Sequence, residues 1–349
     1  LAVWAAKKVK ARPIALLLAL SALTAVCSGL LDNVTTVLLT VPVTFSITKQ
    51  LRVDVKPYLI SQILCSNIGG TATLIGDPPN IMIGSAVGLN FMDFIFNLTG
   101  ICIIIFLVVE LFIIWLYGKG LRTKPELQAE VMRMDASKEI TDHKLLQKCL
   151  FVIFCTIALF ILHSSLHLET ATAALSGAGL LLLLTARRDE AFIAKILSKI
   201  EWLAIFFFAG LFVLVGGLVE TGVIKMLAQE AINITNGDIT TTAVLILWMS
   251  AIASSFIDNI PFVATLIPFI QDMGNMGLTN LDPLWWSLSL GACLGGNGTL
   301  IGASANVVVA SMAAKRGVII TFVGFLRIAF PVMLLTIVIA NIYVFLRYL

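Results

Sequence analysis

The chain of 349 residues is 59% hydrophobic and only 12% charged, with a mean hydropathy of +1.02 and a formal net charge of +3. A soluble domain carries about a quarter charged residues, so this chain lacks the polar groups to cover a globular surface, and its small net charge gives no footing for nucleic acid. Long apolar runs, in place of short alternating segments, exclude a membrane β-barrel and predict an all-α polytopic membrane protein.

The opening "LAVWAAKKVKARP" reads as an interfacial amphipathic helix and not as a cleavable leader. Residues 13–48 are apolar except for a central "SGLLDN", with Lys7, Lys8, Lys10 and Arg12 before them and Lys49, Arg52 and Lys56 after. Basic flanks on both sides place both ends in the cytoplasm. The run is thin for two crossings, so it is expected to be a re-entrant hairpin with Asp32-Asn33 at its tip. Residues 57–94 cross outward and contain "SNIGGTATLIGDPPN", whose glycines and prolines break the helix. Residues 98–117 return to a basic-rich cytoplasmic loop at 119–148.

Crossings are expected at 149–163, 170–186 and 202–219, with a second cytoplasmic loop at 187–199. A hairpin at 240–272, poor in basic flanks, enters from outside. A broken helix at 284–314 contains "ACLGGNGTLIGASAN", and a last helix covers 320–346. Trp202, Trp285 and Trp286 read as interface anchors.

The two glycine-rich stretches are copies. Gly69-Gly70 pair with Gly295-Gly296, "TLIG" at 73–76 with "TLIG" at 299–302, and Asn80 with Asn306, all at an offset of 226 residues. The same offset superposes "SGLLDNVTTVLLTVP" on "SSFIDNIPFVATLIP", pairing Asp32-Asn33 with Asp258-Asn259. Ungapped matching over this span predicts a duplication. The chain divides into a partial first repeat at 1–118, the loop at 119–148 and a second repeat at 149–349. By that symmetry the first repeat lacks about three helices that would precede Leu1.

The two hairpins enter from opposite faces, so the repeat is inverted. Inverted repeats with interrupted helices at mid-membrane mark secondary transporters, in which freed backbone groups contact an ion or substrate. Intramembrane acids are costly and point to function. Asp32 and Asp258 are therefore the foremost candidates for cation or proton coupling, and they also read as N-caps in "DNVT" and "DNIP". Asn33, Asn67, Asn80, Asn259, Asn297 and Asn306 offer amides, and Thr71, Thr73 and Thr299 hydroxyls, toward an ion or small anion. Gly69, Gly70, Gly295 and Gly296 leave their backbone open beside them. Asp77 has no acidic twin, because position 303 is alanine; it reads either as a site acid or as a cap before Pro78. Glu110 also lacks an acidic twin and is given no transport role. The six cysteines stand singly and read as core hydrophobes, and His163 and His167 read as a structural pair.

"LLDNVTTVLLTVPV", "SNIGGTATLIGDPPN", "SSFIDNIPF" and "GACLGGNGTLIGASANVVVAS" resemble the ArsB/NhaD group of the ion transporter superfamily, with its citrate-transporter-like domain. Within that group the nearest likeness is to the melanosomal P protein and its bacterial relatives, over nearly the whole chain. The resemblance implies the divalent anion/sodium symporter-like fold, with two opposed hairpins, two unwound helices, an elevator motion and a homodimer in a bacterial inner membrane or an organelle membrane. It implies sodium between tip and unwound loop, carried here onto Asn33 with Gly69 and Asn259 with Gly295. In the symporters each tip reads Ser-Asn-Thr. Here the tips read Asp32-Asn33-Val34 and Asp258-Asn259-Ile260, and an anionic tip suits a cation or proton better than a carboxylate.

The expected function is an ion-coupled secondary transporter moving an ion or small anion, with Na+ or H+ as coupling ion, no other cofactor and lipid as surroundings. The alternatives are a channel-like chloride conductor of the P-protein type, an arsenite or antimonite efflux permease, and a membrane scaffold with a degenerate transporter body. Without a nucleotide-binding motif, neither an enzyme nor an ATP-driven pump is expected.

Overall fold

The computed structural model describes residues 2–133, 142–163, 165–166, 168–185, 190–200 and 202–349. The described residues contain helices and no strand. In chain order these are α1 (Ala2–Lys8), α2 (Pro13–Leu30), α3 (Asn33–Leu51), α4 (Lys56–Thr71), α5 (Pro78–Val87), α6 (Phe91–Phe94), a π turn at Ile95–Thr99 and α7 (Gly100–Tyr117). Next come α8 (Pro125–Arg133), α9 (His143–Leu162), α10 (Thr170–Thr185), α11 (Glu190–Leu197), α12 (Trp202–Glu220) and α13 (Val223–Thr235). The last five are α14 (Ile239–Phe256), α15 (Asn259–Asn275), α16 (Asp282–Gly295), α17 (Ser304–Ala314) and α18 (Phe322–Tyr348).

Seven of these stretches are long and apolar enough to cross a membrane, counting Phe91–Tyr117 as one. Many large apolar side chains point outward, among them Leu111, Trp115 and Leu203. Such a surface is stable only against lipid, so this is an integral multi-pass membrane protein.

The chain forms two compact units. The smaller comprises Asn90–Met92 with Asp135–Leu214. In it α9 packs on α10, where Gly177 lies so close to Thr156 that a Cβ would sit 2.2 Å from the Thr156 hydroxyl. His163 is buried there, its Nδ1 3.1 Å from the Leu168 carbonyl and its Nε2 accepting from the Phe91 amide at 3.3 Å. Its sequence partner His167 lies outside the described residues.

The larger unit is Leu1–Leu89, Asp93–Met134 and Val215–Leu349. Its most extensive pairings are α2 on α4 and α14 on α16. Helices in lipid gain nothing from hiding apolar surface from one another, so their association relies on close backbone approach and hydrogen bonds. Both occur here, and both recur at the 226-residue offset. Ser28 donates to the Ser66 carbonyl and Ser254 to the Ala292 carbonyl, each at 2.6 Å. A Cβ on Gly69 would sit 2.1 Å from the Ala25 carbonyl oxygen, and one on Gly295 would sit 2.5 Å from that of Ala251.

The levels along these helices follow from the contacts. Tyr58 at the start of α4 donates to the Pro13 carbonyl at the start of α2. At the other end Thr73 donates to the Gly29 carbonyl. The α2–α3 hairpin therefore begins level with the start of α4 and places its tip beside the end of α4. The end of α3 is separated from the start of α4 by four residues, 52–55, so the hairpin also leaves where it entered. Further on, α17 packs on α3 and α4, and α5 packs on α15 and α16.

Two expectations change. Trp285 and Trp286 are buried, at 5% and 4% exposure, with Trp286 packed edge-on against Phe94. An aromatic beside Pro283 at a helix start signals packing as readily as an interface. Gly69 and Gly70 lie in the last turn of α4, which ends at Thr71, Gly295 is the last residue of α16, and the non-helical stretches begin just beyond. Gly69 and Gly295 thus serve interhelical contact ahead of unwinding. The amphipathic α13 was absent from the sequence reading, because its short alternation falls between two strongly apolar runs.

Gly69→Ala or Gly295→Ala should each lower thermal stability in detergent by roughly 1–3 kcal/mol or more through overpacking. Gly100→Ala, where a Cβ meets nothing within 4 Å, should leave it unchanged or raise it.

Candidate functional site

Both breaks begin where a glycine-rich helix end meets a hairpin tip. Helix α4 stops at Thr71 and α5 starts at Pro78-Pro79, whose rings fit a first helical turn and lack amide hydrogens. Helix α16 stops at Gly295 and α17 starts at Ser304. The residues with freed carbonyls are buried, and asparagine side chains satisfy those carbonyls. Asn80 Nδ2 donates to the Thr71 and Thr73 carbonyls at 3.1 and 2.9 Å. Its twin Asn306 Nδ2 donates to the Gly296 and Thr299 carbonyls, both at 2.8 Å.

The two breaks then join. Asn67 Nδ2 donates to Asn297 Oδ1 at 2.8 Å and to Asn306 Oδ1 at 3.0 Å, while Asn33 Nδ2 at the first tip donates to Asn67 Oδ1 at 3.3 Å. Asn297 Nδ2 donates to the Leu64 carbonyl at 3.3 Å. On the opposite side Asn80 Oδ1 accepts from Ser289 at 2.6 Å and from the Cys293 thiol at 3.5 Å. Cys293 is the 226-offset twin of Asn67, so each broken helix reaches the other's helix-starting asparagine from the same place. All of these side chains are buried.

The acids divide into two kinds. Asp32 is half-buried and accepts from the Val34 and Thr35 amides at 2.8 and 3.0 Å and from the Thr35 hydroxyl. Asp258 is half-buried, accepting from the Ile260 amide at 3.1 Å and from Ser304 at 3.4 Å. Both cap the second arm of their hairpin. Asp77 behaves differently. It stands at the N-cap position of α5 without a capping hydrogen bond, and it is 1% exposed. Its Oδ1 accepts from Asn259 Nδ2 of the second tip at 3.4 Å, Cys293 lies beside the carboxyl, and its Oδ2 has no hydrogen-bond partner among the described residues. A buried carboxylate oxygen without a partner is a costly arrangement.

The threonines lock the loops. Thr73 and Thr299 donate to the Gly29 and Ser255 carbonyls at 2.6 and 2.5 Å, and Thr71 to the Asn67 carbonyl at 2.7 Å. Gly70 and Gly296 face Gly76 and Gly302 across the turn, closely enough that a Cβ would lie 2.6 and 3.0 Å from the opposing carbonyl oxygen. Ser28, Ser254 and Ser289 were not singled out by sequence. The first two match at the offset and were legible, whereas Ser289 aligns with Ile63 and gave no signal. Among the described residues no group of three or more His, Cys, Asp or Glu side chains gathers, and the junction offers amide, hydroxyl and carbonyl oxygens beside the single carboxylate of Asp77.

Asn67→Ala should remove the donor shared by Asn297 and Asn306 and cost about 1–3 kcal/mol of stability. A double-mutant cycle with Asn306→Ala, read by thermal unfolding, should show clear non-additivity.

Comparison with known proteins gives one family. The profile described as CitMHS, citrate transporter, matches residues 1–291. An uncharacterized transporter of Mycobacterium bovis is 42% identical over 349 residues, covering 99% of this chain and 80% of its own. The 46 kDa membrane protein of Mycobacterium leprae is 41% identical, covering 100% of this chain and 81% of its own. The P protein of Mus musculus is 34% identical, with 96% of this chain matched to 49% of that protein.

Proposed function

The chain belongs to the CitMHS citrate transporter family, and we propose that this membrane transporter is an ion-coupled secondary transporter whose site lies at the asparagine junction between the two breaks. The observation that carries the reading is the link from Asn67 to Asn297 and Asn306, with Asp77 against the opposite tip at Asn259. Two broken helices whose loop-closing asparagines each bond to the other helix form a polar centre inside an otherwise apolar bundle, the setting in which transporters bind ions.

The repeat is read as inverted. Support comes from packing: the end of each broken helix lies against the hairpin and starting half of the other, α17 on α3 and α4, and α5 on α15 and α16. Arg316, just past α17, donates to the Pro42 carbonyl and stacks on Phe45 in the middle of α3, and its charge is read as lying on the side of Lys49, Arg52 and Lys56. That shared basic side is read as cytoplasmic, together with the loops at 119–148 and 187–199. Each hairpin arm is 18 or 19 residues in the first half, roughly 27 Å at 1.5 Å per residue, so length alone permits a crossing. The tip's position beside the end of α4 favours the re-entrant form.

In this reading Asn33, Asn259 and the loop carbonyls hold a sodium ion or a proton carrier, and Asp77 supplies the buried negative charge for which cation and proton compete. Asp32 and Asp258 hold the tips rigid through their caps and add negative potential. The moving substrate is a small anion or inorganic ion, carried by an elevator-like motion in a dimer.

The test is protein in liposomes with an internal pH-sensitive dye, challenged in turn with sodium, citrate, arsenite and chloride. Proton movement driven by one of these gradients is expected. Asp77→Asn should abolish its pH dependence, and Asp32→Asn and Asp258→Asn, which preserve capping, should reduce flux less. Chloride current without proton or sodium movement would replace this reading with a conductor, and unchanged pH dependence in Asp77→Asn would remove Asp77 from coupling.

A further inference from the structure

A second buried acid lies away from the junction. Glu110 is the eleventh residue of α7, amid "FLVVELFIIW", and is 1% exposed. It faces the α2–α4 seam. Ser61 of α4 donates to Glu110 Oε1, Cys65 one turn further donates to the same oxygen at 3.1 Å, and Ser21 of α2 lies 2.7 Å from the Ser61 hydroxyl. Glu110 Oε2 has no hydrogen-bond partner among the described residues. The interactions of this carboxyl are with Ser61, Cys65 and Ser21, and no cationic side chain is among them.

Among the described residues, the surrounding elements show no counter-charge at this carboxyl. On α4 the titratable group facing Glu110 is Cys65. Helix α18 also packs on α7 and carries Arg327, Tyr343, Arg347 and Tyr348. The last three gather on Asn97, at the far end of the α7 stretch. Arg327 is not among the partners of the carboxyl.

The second half shows what the same positions look like without an acid. At the 226 offset Ser21, Ser61, Cys65 and Glu110 become Leu247, Ser287, Gly291 and Thr336. There Thr336 donates to its own helix and the buried Ser287 hydroxyl has no partner, so the scaffold does not need a carboxyl at this place to close. An acid stands in one half only, in a buried position where no cationic side chain of the described residues faces it. Burying it neutral is the cheaper form.

We propose that Glu110, with Ser61, Cys65 and Ser21, forms a proton-binding site distinct from the asparagine junction. One proton resides on the carboxyl while α7 packs against α4, and it passes to water when that seam loosens. Ser61 and Cys65 point their hydrogens at Oε1, which leaves Oε2 to carry the proton. Helix α4 presents both groups and, within the next turn, Asn67 and Gly69. Any shift of α4 is therefore felt at both places, and the two occupancies are thermodynamically linked. Only this last step rests on the transport reading; the site itself does not.

The experiment is infrared difference spectroscopy of the full chain in lipid vesicles, titrated with pH alone and with no substrate. The wild type should show a protonated-carboxyl band near neutral pH that disappears reversibly as pH rises. Glu110→Gln should lose one carboxyl's worth of that band, and Ser61→Ala should shift its frequency by removing a hydrogen bond. A Glu110→Gln spectrum identical to wild type would overturn the site. So would a Glu110 band that stays constant over the whole pH range in which the helical circular dichroism is retained. Should Glu110→Gln fail to fold, the Ser61→Ala shift decides, and an unshifted band counts against the proposal. A titrating Glu110 band in a protein that moves no ion would support this site and count against the transport reading alone.

Discussion

A helix that breaks inside an apolar slab leaves carbonyls and amides that lipid cannot satisfy, and this structure depends on how that debt is met. Asn80 and Asn306 fold back over their own breaks, each spanning two freed carbonyls with one amide group. That fixes both loops from within the chain. It also leaves each asparagine with its Oδ1 free to accept from the other broken helix, and Asn67 and Cys293 use that opening. The junction is therefore a by-product of the solution to a backbone problem. Remove either asparagine and the break loses its internal partner at the same moment as the two halves lose their link.

Close approach supports the same arrangement. Gly69 lets α4 touch the Ala25 backbone, and Gly295 lets α16 touch that of Ala251. Only at this distance can Ser28 and Ser254 reach the carbonyls of the facing helix, and Thr73 and Thr299 reach the tips. The hairpin caps at Asp32 and Asp258 finish the job by satisfying the first amides of α3 and α15. Packing, capping and break repair thus converge on a few residues in each half, which is why those residues recur at one offset.

That recurrence made the architecture of the larger unit readable from the chain. The duplicated glycines and asparagines located both breaks, and the aspartate–asparagine pairs located both turns. The partnership of Asn67 with Asn297 and Asn306 was out of reach, because it joins residues 230 or more positions apart and has no exact twin. The different standing of Asp77 was equally hidden. On sequence it resembles a cap before a proline as well as a site acid, and only the direction of its side chain, toward Asn259 and away from the α5 amides, separates the two. Trp285 and Trp286 misled for a related reason: composition records that a residue is amphipathic, whereas burial depends on what lies opposite, here Phe94.

The lack of an acidic counterpart for Asp77, whose twin position is Ala303, makes the halves electrically unequal. Any change of proton or cation load on that carboxylate alters the charge of one break and not the other. A unit charge carried through the full membrane field is worth about 2.3 kcal/mol per 100 mV. In the proposed reading, voltage across the bilayer therefore acts on the loaded and unloaded protein differently, with Asp77 as the acid of the junction through which it does so.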